Sequence, residues 1–142
     1  MASGIPNSFW NDLAKGNIDV DTDTFKRMLV TAVPAIETFK DSWAKRSDVT
    51  NEHAATGNYA TGGAALTATV PAIDTGNNRQ DLTWGVSTWS SSTITAAGSV
   101  TYKSRGGAST ADELCFLNDF GGNVSTTNGT FTANPDTTRI AN

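Results

Sequence analysis

Apolar and polar residues alternate with a period of two over residues 81–103, the longest such run in the chain. This alternation is typical of half-buried antiparallel strands. Leu82, Trp84 and Val86 follow the same pattern just ahead of a Ser-rich stretch, so we predict a hairpin whose polar turn lies at residues 90–92. The apolar face of its second strand consists of Ile94, Ala96, Gly98, Val100 and Tyr102.

Three further patterns predict the elements of the N-terminal part. Residues 24–33 include three consecutive apolar side chains, which predicts a strand covered on both faces. Pro34 ends that strand, and apolar residues then recur at helical spacing, so residues 35–45 are predicted to form an amphipathic helix. A stripe of apolar residues after Pro6 predicts a helix within residues 1–16. This stripe consists of Phe9, Trp10 and Leu13.

The rest of the chain reads as short strands between Gly, Asn, Ser and Pro turns. One strand ends at Pro71, another covers residues 113–117, and Asn128-Gly129 predicts a hairpin with residues 129–133 as its second arm. Six or seven strands with two short helices near the N-terminal end predict one mainly β domain over residues 1–142. We expect an antiparallel β-sandwich of jelly-roll-like form.

Composition narrows the classes of function. Ten Lys and Arg are scattered along a chain with a net charge of −4, which argues against a surface that neutralises phosphates and therefore against direct nucleic-acid binding. No apolar run approaches the ~18 residues that a bilayer crossing needs, and the N-terminal residues lack the pattern of a signal peptide. We therefore expect a soluble protein made in the cytoplasm, without a membrane partner.

Few residues offer catalytic chemistry. The single cysteine, Cys115, lies in an apolar stretch and is expected to be a buried, inert thiol. The single histidine, His53, has no convincing nucleophile beside it, and Gly62-Gly63 lacks the context of a phosphate-binding loop. We predict that the protein is not an enzyme, with no catalytic residue and no cofactor.

Three alternating carboxylates resemble the opening of a calcium loop. That loop requires a Gly after the third acid and a Glu at its twelfth position, where this chain has Thr24 and Val30. The alternative is a solvated turn whose acids point outward, and this is the reading we favour, with no metal site. The carboxylates are Asp19, Asp21 and Asp23.

The order of motifs along the chain has a familiar form. A short N-terminal helix is followed by GNIDVDTDTFKRMLVT, DVTNE, TGNYATGGAAL, DLTW, STITAAGSVTYK, NDFGG and NGTF. This order resembles a family of small structural proteins encoded by tailed bacteriophages, similar to virion proteins of the capsid cement or decoration type. The resemblance extends from Phe9 to about Phe131, while the helical residues 35–45 and the ending PDTTRIAN depart from the family.

The resemblance implies a non-enzymatic protein on the outer surface of the phage head, made in the host cytoplasm, that stabilises the assembled capsid. Its implied partners are the major capsid protein and further copies of itself. A short helix carrying Phe9, Trp10 and Leu13 is unstable unless its stripe is covered by its own domain or by a neighbour. Residues 1–16 are therefore a candidate contact arm, with these three residues as its interface.

Two alternatives remain open at this point. A tail or tail-fibre component is also a structural virion protein and fits the same composition. A carbohydrate-binding module belongs to another class, and it requires several exposed aromatic side chains close together on one face.

Overall fold

The computed structural model describes residues 3–141, which form two antiparallel sheets and two short helices. The large sheet has the strand order β2-β1-β5-β6, and the small sheet has the order β3-β4-β7. The prediction of a mainly β chain with two short helices near the N-terminal end is confirmed. The elements are α1 (Asn7–Ala14), β1 (Phe25–Val30), α2 (Ile36–Ser42), a 3-10 turn (Arg46–Asp48), β2 (Ala64–Leu66), β3 (Ala68–Thr69), β4 (Arg79–Trp84), β5 (Ser87–Lys103), β6 (Leu114–Ala133) and β7 (Asp136–Ala141).

β5 and β6 form one long ribbon, so two of the predicted turns are wrong. Residues 90–92 stay within β5, where Ser91 has a φ of 49° and the pairing register shifts. Asn128, at the second predicted turn, has a φ of 46° in the facing part of β6. Polar residues with positive φ serve bulges as well as turns, and the sequence pattern is the same in both cases. β4, the predicted partner of β5, pairs instead with β3 and β7.

The ribbon bends back on itself. The rings of Phe120 and Phe131 lie 6.1 Å apart, although eleven residue steps of a straight strand would separate them by about 36 Å. The bend lies where Gly121 and Gly122 adopt φ values of 76° and 154°, which residues with a Cβ rarely adopt. The limb that follows the bend therefore returns toward the start of β6.

One apolar cluster packs between the two sheets and beneath α1. Leu82 and Trp84 point into it, so their predicted inward orientation is confirmed, and Trp84 donates its Nε1–H to Thr138 Oγ1 at 2.9 Å. Val86, predicted on the same face, is exposed because β4 ends at Trp84. The buried members are Phe9, Ile18, Val20, Phe25, Leu82, Trp84, Cys115 and Phe116.

A second cluster packs between α2 and the other face of the large sheet. Met28 and Val30 of β1 belong to it, while Leu29 points to the opposite face, so the predicted burial of both faces of β1 is confirmed. α2 is shorter than the predicted helix because the chain is extended from Trp43. The buried members are Met28, Val30, Phe39, Val100, Tyr102, Leu114 and Leu117.

A third cluster fills the inside of the bent ribbon. Tyr59, which the sequence placed in a Gly-rich loop, is buried there and its hydroxyl accepts the backbone N–H of Leu29 at 2.9 Å. The predicted inward face of residues 94–102 is confirmed at Ile94 and Ala96. The buried members are Leu29, Tyr59, Trp89, Ile94, Ala96, Phe131 and Ala133.

Arg27 lies on the same face of β1 as Phe25 and Leu29 and separates the first cluster from the third. Its side chain is fully buried, and its guanidinium donates to Gly85 O at 2.8 Å, to Ala133 O at 3.1 Å and to Asp136 Oδ2 at 2.7 Å. Burial lowers the pKa of Arg27, although the carboxylate opposes that shift. These contacts tie β1 to the returning limb at Ala133, to β7 at Asp136 and to the connection between β4 and β5 at Gly85.

Candidate contact surfaces

The single cysteine and the single histidine are both held by contacts with neighbouring residues. Cys115 is buried as predicted, and burial raises the pKa of its thiol well above the ordinary value. His53 is half-buried, with Nδ1 lying 2.7 Å from Ala54 O and Nε2 facing the Thr95 N–H. Packing thus surrounds the Cys115 thiol, and backbone contacts orient the His53 ring.

The three alternating aspartates form a hydrogen-bonded turn. Asp23 Oδ2 accepts the Asp19 N–H at 2.7 Å, and Asp19 Oδ1 accepts the Asp21 N–H at 3.0 Å. Asp23 also pairs with Lys103 Nζ at 2.7 Å. Two of the three carboxylates are thus engaged by the turn itself, and nowhere in residues 3–141 do three His, Cys, Asp or Glu side chains come together as a metal site.

The described helices have seven and eight residues. Within residues 3–141, no helix has the length and apolar character that crossing a bilayer requires.

One end of the β5–β6 ribbon, where residues 104–113 connect the two strands, is densely charged. Glu113 is buried and pairs with Lys45 at 3.2 Å and with Arg105 at 2.8 Å. Burial alone raises the pKa of Glu113, but the hydrogen bonds from Arg105 and Lys45 outweigh it and leave the pKa below its ordinary value. Asp112, also buried, pairs with Arg46 at 2.8 Å. These pairs hold the connection in place, and we call this region the charged end.

α1 and the small sheet together form an apolar surface, which we call the α1 groove. Trp10 is 38% exposed, and Leu13 lies one turn further along the same helix face. Leu13 borders a shallow groove of about 430 Å³, which is also lined by Asp19 and Asp21 and whose opposite wall includes the exposed side chains of Val70 and Ile140. Exposed apolar surface of this kind, with an exposed Trp one helical turn away, is typical of protein contact sites.

The structure divides the predicted interface residues into two groups. Phe9 is fully buried and its ring meets Trp84 edge-on at 6.2 Å, so its own domain covers it. Residues before α1 also dock on the domain, because Gly4 exchanges two backbone hydrogen bonds with Leu117 at 2.9 and 2.8 Å. Trp10 is exposed and Leu13 is half-buried against the first cluster, so the interface prediction now rests on these two.

The other end of the ribbon has a different chemistry. Residues 86–102 and 120–135 contain no Asp, Glu, Lys, Arg or His, and we call them the charge-free ribbon. A neighbouring loop without charge packs on it, because Asn58 Nδ2 donates to Ser90 Oγ at 3.0 Å. The hydroxyls of Thr95 and Ser125 meet at 2.8 Å across the two strands. Besides Val86 and Val124, the exposed surface here consists mainly of hydroxyl, amide and backbone groups.

A cleft of about 270 Å³ lies between the two limbs of β6. Phe120 and Val124 contribute apolar surface to it, and Asn118 and Asn134 bring amide groups. Of the two aromatic rings at this cleft, Phe120 is half-buried and Phe131 beneath it is buried. The several exposed aromatics that a carbohydrate-binding face needs are not brought together here among residues 3–141.

Comparison with known proteins gives no relative: no family model, no curated protein and no solved structure matches the chain. The case for a contact surface therefore rests on the geometry of this chain. Trp10 and Leu13 could be found from helical spacing. Val70 and Ile140 could not, because only the fold brings β7 and the residue after β3 beside α1.

Proposed function

We propose that this protein is a non-enzymatic structural protein of a tailed-phage virion that binds the assembled head as a cement or decoration protein. The observation that carries the proposal is the α1 groove, with Trp10 exposed on a helix whose neighbouring residue Phe9 is anchored in the core. The order of sequence motifs supports the virion context. We also propose that the two sheets form a β-sandwich of jelly-roll-like form. The partners are the major capsid protein and further copies of this chain.

A cement protein works by binding the assembled lattice more tightly than free capsid subunits, since only that difference stabilises the shell. A large interface per copy is unnecessary because symmetry presents many equivalent sites. A partly exposed Trp one helical turn from an apolar groove suits this task, since aromatic anchors supply much of the free energy of binding in protein interfaces. The rigid docking of α1 through Phe9 reduces the ordering cost of binding.

The decisive experiment compares two exposed apolar side chains on different surfaces. Phage heads lacking the protein are incubated with the wild type, with Trp10→Ala or with Val86→Ala, and bound protein is quantified after sedimentation. We expect Trp10→Ala to lose at least about tenfold in affinity, as for a typical aromatic anchor. Val86→Ala serves as the control because Val86 is 50% exposed away from the α1 groove.

Equal binding by all three proteins would remove the α1 groove from the account. Cryo-electron microscopy of intact virions provides the second readout, because density for the protein on tails alone would replace the head assignment with the tail alternative. Deleting residues 1–16 is a poorer test. That deletion removes Phe9 from the first cluster, so we expect it to unfold the domain.

A carbohydrate-binding module is the second candidate, and the cleft between the limbs of β6 is the observation that favours it. Asn118 and Asn134 offer amide donors and acceptors beside the apolar surface of Phe120, a combination that can orient a neutral sugar. A glycan array with the wild type and Phe120→Ala tests this candidate. Saturable binding that Phe120→Ala abolishes would support it, and an array without binding would dismiss it.

A further inference from the structure

The charge-free ribbon leaves one strand edge open. On one edge β6 pairs with β5, with interruptions at residues 120–123 and 127–128, and its other edge is covered at Leu117 by Gly4. Within residues 3–141, no further strand or bridge pairs with β6 between residues 120 and 133. Unpaired backbone N–H and C=O groups along such an edge form a ready site for an added strand.

The same part of β6 is exposed on both faces. Residues 121–125 are all exposed, so neither side of the strand is covered by the protein's own core. Val124 is 44% exposed at the centre of this stretch, although it pairs across the ribbon with the fully buried Ala96. An apolar side chain and an open edge therefore occur together at one place.

Charge restricts what can bind there. The chain has a net charge of −4, so two copies repel each other wherever carboxylates face one another. The charge-free ribbon is a surface where two copies can approach without that cost. Depletion of charged residues is also the feature that marks the centres of protein interfaces.

The chemistry of the ribbon favours a second copy over an unrelated partner. Ser and Thr hydroxyls and Asn amides each both donate and accept hydrogen bonds, so a surface built from them is complementary to itself. Charged surfaces are not, because carboxylates only accept and ammonium groups only donate. Thr95 and Ser125 already show such pairing between hydroxyls within one chain.

We propose that residues 123–127 of β6 pair antiparallel with the same residues of a second copy, about a two-fold axis at Ser125. This contact is isologous, so Val124 of each copy lies opposite Thr126 of the other and Asn123 opposite Thr127. It joins the two large sheets into one continuous sheet. The inference deepens the proposed function by naming the surface used between copies, and it rests on that proposal only for its place in a virion.

The experiment measures the mass of the intact protein in solution by sedimentation equilibrium over a range of concentrations. Ser125→Lys places two like charges side by side at the axis, and Thr110→Lys makes the same change on an exposed residue of the charged end. We expect dimers for the wild type and for Thr110→Lys. Dimerisation of Ser125→Lys should be weakened at least about tenfold, because like charges opposed in an interface are strongly unfavourable.

Mixing two variants of opposite charge gives a more discriminating experiment. Ser125→Lys and Ser125→Glu should each be monomeric alone and form a mixed dimer together, detectable by native mass spectrometry. Circular dichroism checks that each variant is folded, and Thr127→Lys replaces Ser125→Lys if the latter is not. A monomeric wild type, or a dimer that survives Ser125→Lys and Thr127→Lys, overturns the inference.

The outcomes separate this inference from the proposed function. A dimer that is disrupted by Ser125→Lys but never binds heads contradicts the cement role and leaves the β6 contact in place. A monomer that decorates heads through Trp10 contradicts the β6 contact and leaves the cement role in place.

Discussion

The two ends of the β5–β6 ribbon are made of the same two strands yet use opposite chemistry. At the charged end, Asp112 and Glu113 are buried and each pairs with a basic side chain. At the other end, the charge-free ribbon presents hydroxyls, amides and an open strand edge. The charged end thus satisfies its polar groups within the chain, whereas the charge-free ribbon leaves backbone groups available to a partner. This contrast separates a region that maintains the fold from one suited to contact.

The largest expected effect comes from removing a buried ion pair that lies outside the charged end, between Arg27 and Asp136. Arg27→Ala leaves Asp136 and the carbonyls of Gly85 and Ala133 without their buried donor. We expect it to lower the free energy of unfolding by about 3 to 5 kcal/mol, the usual cost of removing one partner of a buried ion pair. Urea unfolding measures this loss.

Arg139→Ala is the matched control for Arg27→Ala. Arg139 also makes a 2.7 Å ion pair, with Asp81, but Arg139 is half-exposed at the surface of the small sheet. The expected loss is below about 1 kcal/mol. Similar losses for Arg27→Ala and Arg139→Ala would show that Arg27 does not tie the returning limb to β1.

A smaller effect is expected at the charged end. Glu113→Gln keeps the shape of the side chain but removes the charge that pairs with Arg105 and Lys45. We expect a loss of about 1 to 3 kcal/mol at pH 7, since hydrogen bonds to charged groups contribute in that range. Thermal and urea unfolding of the variant check the value, and an unchanged stability would mean that the charged end does not hold the connection between β5 and β6.

The pH dependence of the stability should follow Glu113. Its pKa is lower in the folded protein than the ordinary 4.5, so its contribution is complete above pH 4.5 and is lost as the pH falls through the lower folded value. Burial raises the pKa of Asp136, and that residue therefore contributes with the opposite sign. We expect the wild type to lose more stability than Glu113→Gln on acidification below pH 4.5. Parallel curves for the two proteins would contradict this assignment.

The smallest effect is expected within the charge-free ribbon. Thr95→Val removes the hydroxyl that meets Ser125 Oγ at 2.8 Å on an exposed face. The free energy of unfolding of the monomer should change by no more than about 0.5 kcal/mol, as for most surface substitutions. A loss of several times that size would mean that this surface maintains the fold, and the contrast between the two ends would fail.

The sequence predicts orientation well where one face of a strand is buried. Period-two alternation correctly places Ile94 and Ala96 inward, and a run of apolar residues marks β1 as covered on both faces. The alternation fails further along β5, because Ser99 and Thr101 of the predicted polar face are buried. The sequence does not predict which strands pair with each other. Ser91 and Asn128 are of residue types that favour turns, yet they occupy bulges. Whether such a residue forms a turn or a bulge depends on contacts with the rest of the fold.

The sequence also misses buried polar residues. Arg27 stands in an apolar strand where a charged side chain suggests a solvent-facing position, and only the converging carbonyls and Asp136 make its burial favourable. For a similar reason, the sequence predicts only one side of the α1 groove. Helical spacing identifies Trp10 and Leu13, whereas Val70 and Ile140 join them through the fold.

The most direct test of the contrast is hydrogen–deuterium exchange of the wild-type protein at low and high concentration. The account predicts that backbone amides of residues 123–127 exchange quickly in dilute protein and become protected as the concentration rises. Amides of residues 104–113, at the charged end, should exchange at the same rate in both samples. Exchange in residues 123–127 that is independent of concentration, or protection that appears at the charged end instead, would contradict the account.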